Sequence, residues 1–150
     1  MDRECSVGEV GSILRCHLVA VLAALGLHVR LQSGISPARG TSEIFLFTGN
    51  HSLFGYADEP LPDGRYRYSG EGLHRDQEMT RGNRAILEHA ENGNRLRLLR
   101  TLGGGMVEYL GEYEYETHRM LQRQDPTTLE SLQHIEFTLR EVHSNQEAKR

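Results

Sequence analysis

Residues 106–116 read MVEYLGEYEYE, so Val107, Tyr109, Tyr113 and Tyr115 fall on one side and Glu108, Glu112, Glu114 and Glu116 on the other. Period two over that length describes a strand with one buried face and one wetted face. Such a strand cannot stand alone. Its backbone needs neighbours and its tyrosines need something to pack against, so the chain must build a sheet. Gly103-Gly104-Gly105 immediately before it reads as a hairpin connection, with Leu96, Leu98 and Leu99 in the preceding strand. Ile135, Phe137 and Leu139 alternate with His134, Glu136, Thr138 and Arg140 in a further strand. Residues 65–68 (RYRY) and 43–47 (EIFLF) add two more, the second by its aromatic and β-branched content.

The helical signals are fewer. Thr80 can cap a helix running to about Glu91, with Asn92-Gly93 as its stop. Residues 12–27 read as a second helix, apolar almost all round and hence buried. Residues 32–40, 48–64 and 118–132 read as loops, the second containing an Asp63-Gly64 turn, and residues 145–150 as a frayed tail. At 150 residues the chain is one domain, 1–150 with a core over about 33–142. The expected class is α+β: a curled, barrel-like sheet flanked by helices.

A mean hydropathy of -0.54 excludes a membrane protein as a whole. Residues 18–27 (LVAVLAALGL) are ten apolar residues, about half of a membrane span. Asp2, Glu4 and Glu9 precede them and His28 and Arg30 follow, which is wrong for a secretion signal. Cys5 and Cys16 form no framework and no metal spacing. The expected location is the cytoplasm, with no membrane partner.

Charge is uneven. The net is -4, but residues 65–100 carry +3 between flanks of -3 and -4. Every basic group in that middle segment is arginine, and Lys149 is the only lysine in the chain. Arginine forks suit phosphate contacts, although codon bias toward arginine explains the missing lysine equally well. Catalytic signals are thin. Eight histidines show no H-E-x-x-H or zinc-finger spacing, and no G-x-S-x-G or phosphate-binding loop is present. No catalytic residue, metal ligand or cofactor is expected.

Residues 54–83 (FGYADEPLPDGRYRYSGEGLHRDQEMTRGN) hold the informative pattern. Tyr56 lies on a glycine-containing loop beside Asp58 and Glu59, and Tyr68 ends a strand followed by Ser69-Gly70-Glu71-Gly72. Two aromatic faces, a carboxylate and free backbone amides suit a planar heterocycle bearing an exocyclic amino group. The plainer reading makes Tyr66 and Tyr68 ordinary strand aromatics and the acids solvated.

In order along the chain stand Ser33-Gly34-Ile35, Gly55-Tyr56-Ala57-Asp58-Glu59, Tyr68-Ser69-Gly70, Asp76-Gln77, Thr80 with Asn83-Arg84-Ala85-Ile86, residues 96–100 (LRLLR) and residues 109–113 (YLGEY). This ordered set resembles the SRA (SET- and RING-associated, YDG) domain, a PUA-type barrel that flips and reads methylated cytosine in DNA. It is similar to small actinobacterial 5-methylcytosine readers and to the N-terminal domains of modification-dependent HNH endonucleases. The resemblance implies double-stranded DNA containing 5-methylcytosine as the partner, with Tyr56 and Tyr68 sandwiching the extruded base. It implies a carboxylate, Asp58 or Glu59, accepting from cytosine N4, and Gly34, Phe54, Gly55 and Ser69 lining the pocket. Asp76, Gln77, Asn83 and the helix after Thr80 are expected to hold the pocket loop. Arg39, Arg75, Arg81, Arg84 and Arg97 are the expected contacts to the DNA backbone, with Arg95 and Arg100 also in the basic segment.

Two departures limit the carry-over. The YDG element reads Tyr109-Leu110-Gly111, and only Leu73-His74-Arg75 separate Gly72 from Asp76 where eukaryotic relatives have a long loop. Preference for CpG or hemimethylated sites is therefore not implied. The expected function is a non-enzymatic reader of 5-methylcytosine in the bacterial cytoplasm, associated with the nucleoid when bound. The alternatives are the targeting half of an HNH restriction endonuclease, a metal-dependent nuclease assembled by folding, or an interaction module whose tyrosines are core.

Overall fold

Aromatic and branched residues, in runs or at alternate positions, set most of the strands, and pairing among them makes one eight-stranded sheet. The computed structural model describes residues 14–17, 34–38, 40–49, 58–72, 75–103, 106–125 and 127–143. The strands are β1 (Leu14–His17), β2 (Ile35–Pro37), β3 (Glu43–Thr48), β4 (Glu59–Leu61), β5 (Arg65–Ser69), β6 (Arg95–Gly103), β7 (Met106–Gln124) and β8 (Ser131–Glu141); the helix α1 spans Arg81–Leu87. The order is β2-β3-β6-β7-β8-β5-β4, with β1 beside β7. Neighbours are antiparallel except β3 and β6, which run parallel.

One core joins both ends of this path. Ile35 of β2, Ile44 and Leu46 of β3, Leu96 and Leu98 of β6, Ile135, Phe137 and Leu139 of β8, and Tyr66 and Tyr68 of β5 share a cluster with Ile86 of α1. β2 and β5 are far apart in strand order, so the sheet must curl for their side chains to meet. Among the described residues the path stays open between β2 and β4, and it is not closed into a barrel.

Several expectations need correction. Residues 14–17 are a strand, Leu14 opposite Tyr109, where a helix is read from the sequence. β8 pairs only with residues 113–124 of β7, which leaves the edge at 106–109 free to take β1. The rest of the expected N-terminal helix, the apolar run 18–27 and the tail 145–150 lie outside the described residues. The expected loop 118–132 is mostly strand: β7 continues to Gln124 and β8 begins at Ser131. Its turn is held by Asp125, whose carboxylate accepts from the amides of Thr127 and Thr128. Residues 59–61, expected in a loop, are the short edge strand β4. The helix is also shorter than expected. After Leu87 the His89 amide donates to Ile86, and the His89 ring bonds the Asn94 carbonyl and the Tyr115 amide, turning the chain into β6.

The tyrosines of β7 do not share one face. Leu98 opposes Gly111 and Leu99 opposes Tyr109, so Leu110 is an extra residue in a bulge, next to Gly111 with φ 131°. One added residue reverses the side-chain phase. Tyr113 therefore enters the core, edge-on to Tyr66 at 6.0 Å, while Tyr109 lies on the other face against Arg97.

Candidate functional site

β3 and β5 end side by side, and Asp58 joins them. Its Oδ1 accepts from the Ser69 amide at 2.9 Å and its Oδ2 from the Thr48 hydroxyl at 2.8 Å. Beneath it, the Tyr68 hydroxyl lies 3.0 Å from both the Gly34 and Phe47 carbonyl oxygens and shares its proton between them. Burial, and then the nearby Asp58 carboxylate, raise the Tyr68 pKa well above 10, so the hydroxyl remains a donor. Gly34 leaves room for this arrangement: a Cβ there would sit 3.1 Å from the Tyr68 hydroxyl.

The structure thus brings Gly34, Asp58, Tyr68 and Ser69 together. Phe54, Gly55 and Tyr56 lie outside the described residues, so the second aromatic wall is not placed. Tyr68 is only 1% exposed and belongs to the core, which corrects the expectation that it is a pocket ring and not a core ring. A base stacking on it needs the surrounding chain to shift. The two acids separate as well. Asp58 faces the Ser69 amide, whereas Glu59 is exposed on β4 and pairs with Arg67.

The loop after Ser69 is held from behind. The Gln77 amide donates to the Gly70 carbonyl at 3.0 Å and its oxygen accepts from the Ile135 amide at 2.8 Å. Asn83 accepts from the Glu71 amide and donates to the Glu78 carbonyl, and Glu71 accepts from the Gly82 amide. Asp76 accepts from the Gln133 amide. Gly70 has no room for a side chain, because a Cβ would fall 2.8 Å from Gln77 Oε1 and 2.9 Å from Asn83 Oδ1. Gln77 and Asn83 therefore bond the loop directly, while Asp76 ties the segment that follows it to β8. Sequence reasoning missed Thr48, which closes an apolar strand with no motif around it. It also missed Arg123, which donates to the Gly72 carbonyl at 2.6 Å across 51 residues of sequence.

The expected backbone contacts divide. Arg97 is a correction: it is 7% exposed, donating to Glu43 at 2.6 Å and to the Tyr109 hydroxyl at 3.0 Å. Burial disfavours its charge, but the bonds to Glu43 and Tyr109 outweigh burial and raise its pKa. Arg84 is exposed and pairs with Glu88 one turn on, and Arg100 pairs with Glu108. Arg75 and Arg81 are exposed and line a cleft of about 500 Å³ with Asp76, Glu78 and Thr80. Arg95 is exposed, and Arg39 lies outside the described residues. Among the described residues no three His, Cys, Asp or Glu side chains converge as metal ligands. No described helix is long and apolar enough to cross a membrane.

The family profile described as "ScoMcrA-like, SRA domain" matches residues 25–149. No curated protein matches in sequence. Solved structures do. The sulfur binding domain and SRA domain of ScoMcrA complexed with phosphorothioated DNA is 22% identical, with a TM-score of 0.64 over 81% of this chain and 37% of that one. ScoMcrA as the Type IV phosphorothioation-dependent restriction endonuclease is 21% identical, with a TM-score of 0.65 over 90% of this chain and 26% of that one. The SUVH5 SRA domain with methylated CHH DNA is 25% identical, with a TM-score of 0.58 and 82% of each chain covered. The chain therefore spans a minor part of the ScoMcrA proteins and most of the SUVH5 domain.

Proposed function

The chain belongs to the ScoMcrA-like SRA domain family, and from that premise we propose that it binds double-stranded DNA and reads 5-methylcytosine by flipping it into the pocket beside Asp58. As an SRA domain it is a binding module, and any nuclease that it directs lies in another domain or chain. The observation that carries the reading is Asp58, an acid held by Thr48 and Ser69 beside the Tyr68 ring. Its Oδ1 accepts from the Ser69 amide and its Oδ2 from the Thr48 hydroxyl, which fixes the direction of a group whose chemistry is to accept from an exocyclic amine. Cytosine N4 donates such a bond, whereas thymine O4 would be repelled. In this reading Asp58 and not Glu59 meets the base, a choice supported by the pairing of Glu59 with Arg67.

Two modifications occur in the similar structures, methylated cytosine with SUVH5 and phosphorothioate with ScoMcrA. The carboxylate favours the first for this pocket, because a phosphorothioate is itself an anion. Binding to matched duplexes that are plain, singly methylated or phosphorothioated tests this. We expect methylated DNA to be preferred over plain by roughly 5- to 100-fold, the range open to a one-carbon difference in a fitted pocket. Asp58→Asn should narrow that preference and Glu59→Gln should leave it. Equal affinity for plain and methylated DNA, or preference for phosphorothioate alone, overturns the reading.

A further inference from the structure

Most arginines in the described residues are occupied. Arg65, Arg67, Arg100, Arg119 and Arg140 pair with glutamates along the sheet, Arg84 pairs with Glu88 at the end of α1, and Arg97 is buried on Glu43. Arg75 and Arg81 have no carboxylate partner among the described residues, and they line one cleft. The cleft adjoins the pocket loop: a Cβ on Gly72 would meet the Arg75 guanidinium at 2.9 Å. Two further features mark it. Arg81 is held at φ 50°, a left-handed conformation that a non-glycine residue adopts at a cost. Thr80 stands at the cap position of α1 but makes no capping bond, so its hydroxyl faces no helical amide. Two guanidinium forks and a hydroxyl are the donors that a phosphodiester takes. Against them stand Asp76, with one oxygen already accepting from Gln133, and Glu78.

We infer that this cleft seats one backbone phosphate of the DNA strand whose modified base enters the Asp58 pocket, with Arg75, Arg81 and Thr80 as donors and Glu78 weakening the hold. The inference rests on the DNA-reading function above. It makes the cleft a sequence-independent anchor beside a modification-dependent pocket.

The test is anisotropy titration of plain and methylated versions of one short duplex at about 50 and about 200 mM salt. Arg75→Ala and Arg81→Ala should each weaken both duplexes by the same factor, roughly 3- to 10-fold at the lower salt. Each should also flatten the slope of log affinity against log salt by about 0.9. Glu78→Gln should tighten both duplexes, a gain that misfolding cannot produce. Arg119→Ala, on an arginine already paired at the far hairpin, should change nothing. Unchanged slopes in the cleft variants overturn the inference, as does a loss confined to methylated DNA or failure to bind any duplex. If the methyl preference is absent while the cleft variants still flatten the slope, the anchor stands and the 5-methylcytosine reading falls.

Discussion

Two regions rich in polar residues use them in opposite ways. Behind the pocket loop, Gln77 and Asn83 are 0% and 2% exposed, and their amides bond backbone groups of Gly70, Glu71, Glu78 and Ile135. At the far end of the β7–β8 hairpin, Arg119, Gln122 and Ser131 are exposed, and their mutual and Glu136 contacts lie in solvent. A buried side-chain amide standing in for missing backbone partners must be present, because the groups it satisfies cannot turn to water. An exposed polar pair is replaceable by water. The first region is thus pinned by buried bonds, which fixes the strand end where the Ser69 amide meets Asp58 and the Gly70 amide meets the Ile135 carbonyl. The second depends on its ladder.

The largest effect should come from the ring that the first region surrounds. Tyr68→Ala removes a fully buried aromatic and should cost about 3–5 kcal/mol in urea unfolding. Tyr68→Phe keeps the ring, loses the shared bond to Gly34 and Phe47, and should cost about 1 kcal/mol. A near-neutral Tyr68→Ala would place the ring outside the core.

The hairpin also has a buried titratable ring that sharpens the contrast. His134 is 2% exposed, and burial, then the Arg123 charge, lower its pKa from 6.5 to about 4, with Glu136 opposing. The folded protein therefore holds the ring neutral while the unfolded chain protonates below 6.5. Stability should fall as pH drops from 6.5 toward 4, by up to about 3 kcal/mol, and this component should level off below that. Melting curves across this range should show a smaller acid loss in His134→Gln than in the parent. Equal losses would remove His134 as the cause.

Gln77→Ala orphans the Gly70 carbonyl and the Ile135 amide and should cost about 1–3 kcal/mol. It should also loosen hydrogen-exchange protection at Gly70. The smallest effect belongs to the exposed pair: Gln122→Ala or Ser131→Ala should stay within about 0.5 kcal/mol. Similar costs in both regions would erase the distinction between buried and exposed polar groups.

The legible parts of the chain are those in which local pattern and tertiary need agree. The apolar run 43–47 and the alternations at 65–68 and 135–139 are strands, and Asp63 and Gly64 turn with φ 68° and 76°. Gly34, Asp58, Tyr68 and Ser69, which the family resemblance groups, meet at one place. The hairpin end was illegible because it alternates nothing: His118, Arg119, Gln122, Arg123 and Gln124 are strand residues only through the ladder with β8. The role of Arg97 was illegible because exposure depends on which partner crosses it, and Glu43 lies 54 residues away in sequence.

Composition and period two determined that this chain builds a sheet with an apolar face, because a half-wetted strand can bury its side chains in no other way. The ordered motifs determined its family. Tertiary structure alone decided the phase of β7, since one bulged residue at Leu110 sends Tyr109 and Tyr113 to opposite faces without changing the alternation in the sequence. It alone separated Asp58 from Glu59: the fold carries Thr48 and Ser69 to the Asp58 carboxylate and Arg67 to the Glu59 carboxylate, and none of those partners is adjacent in sequence.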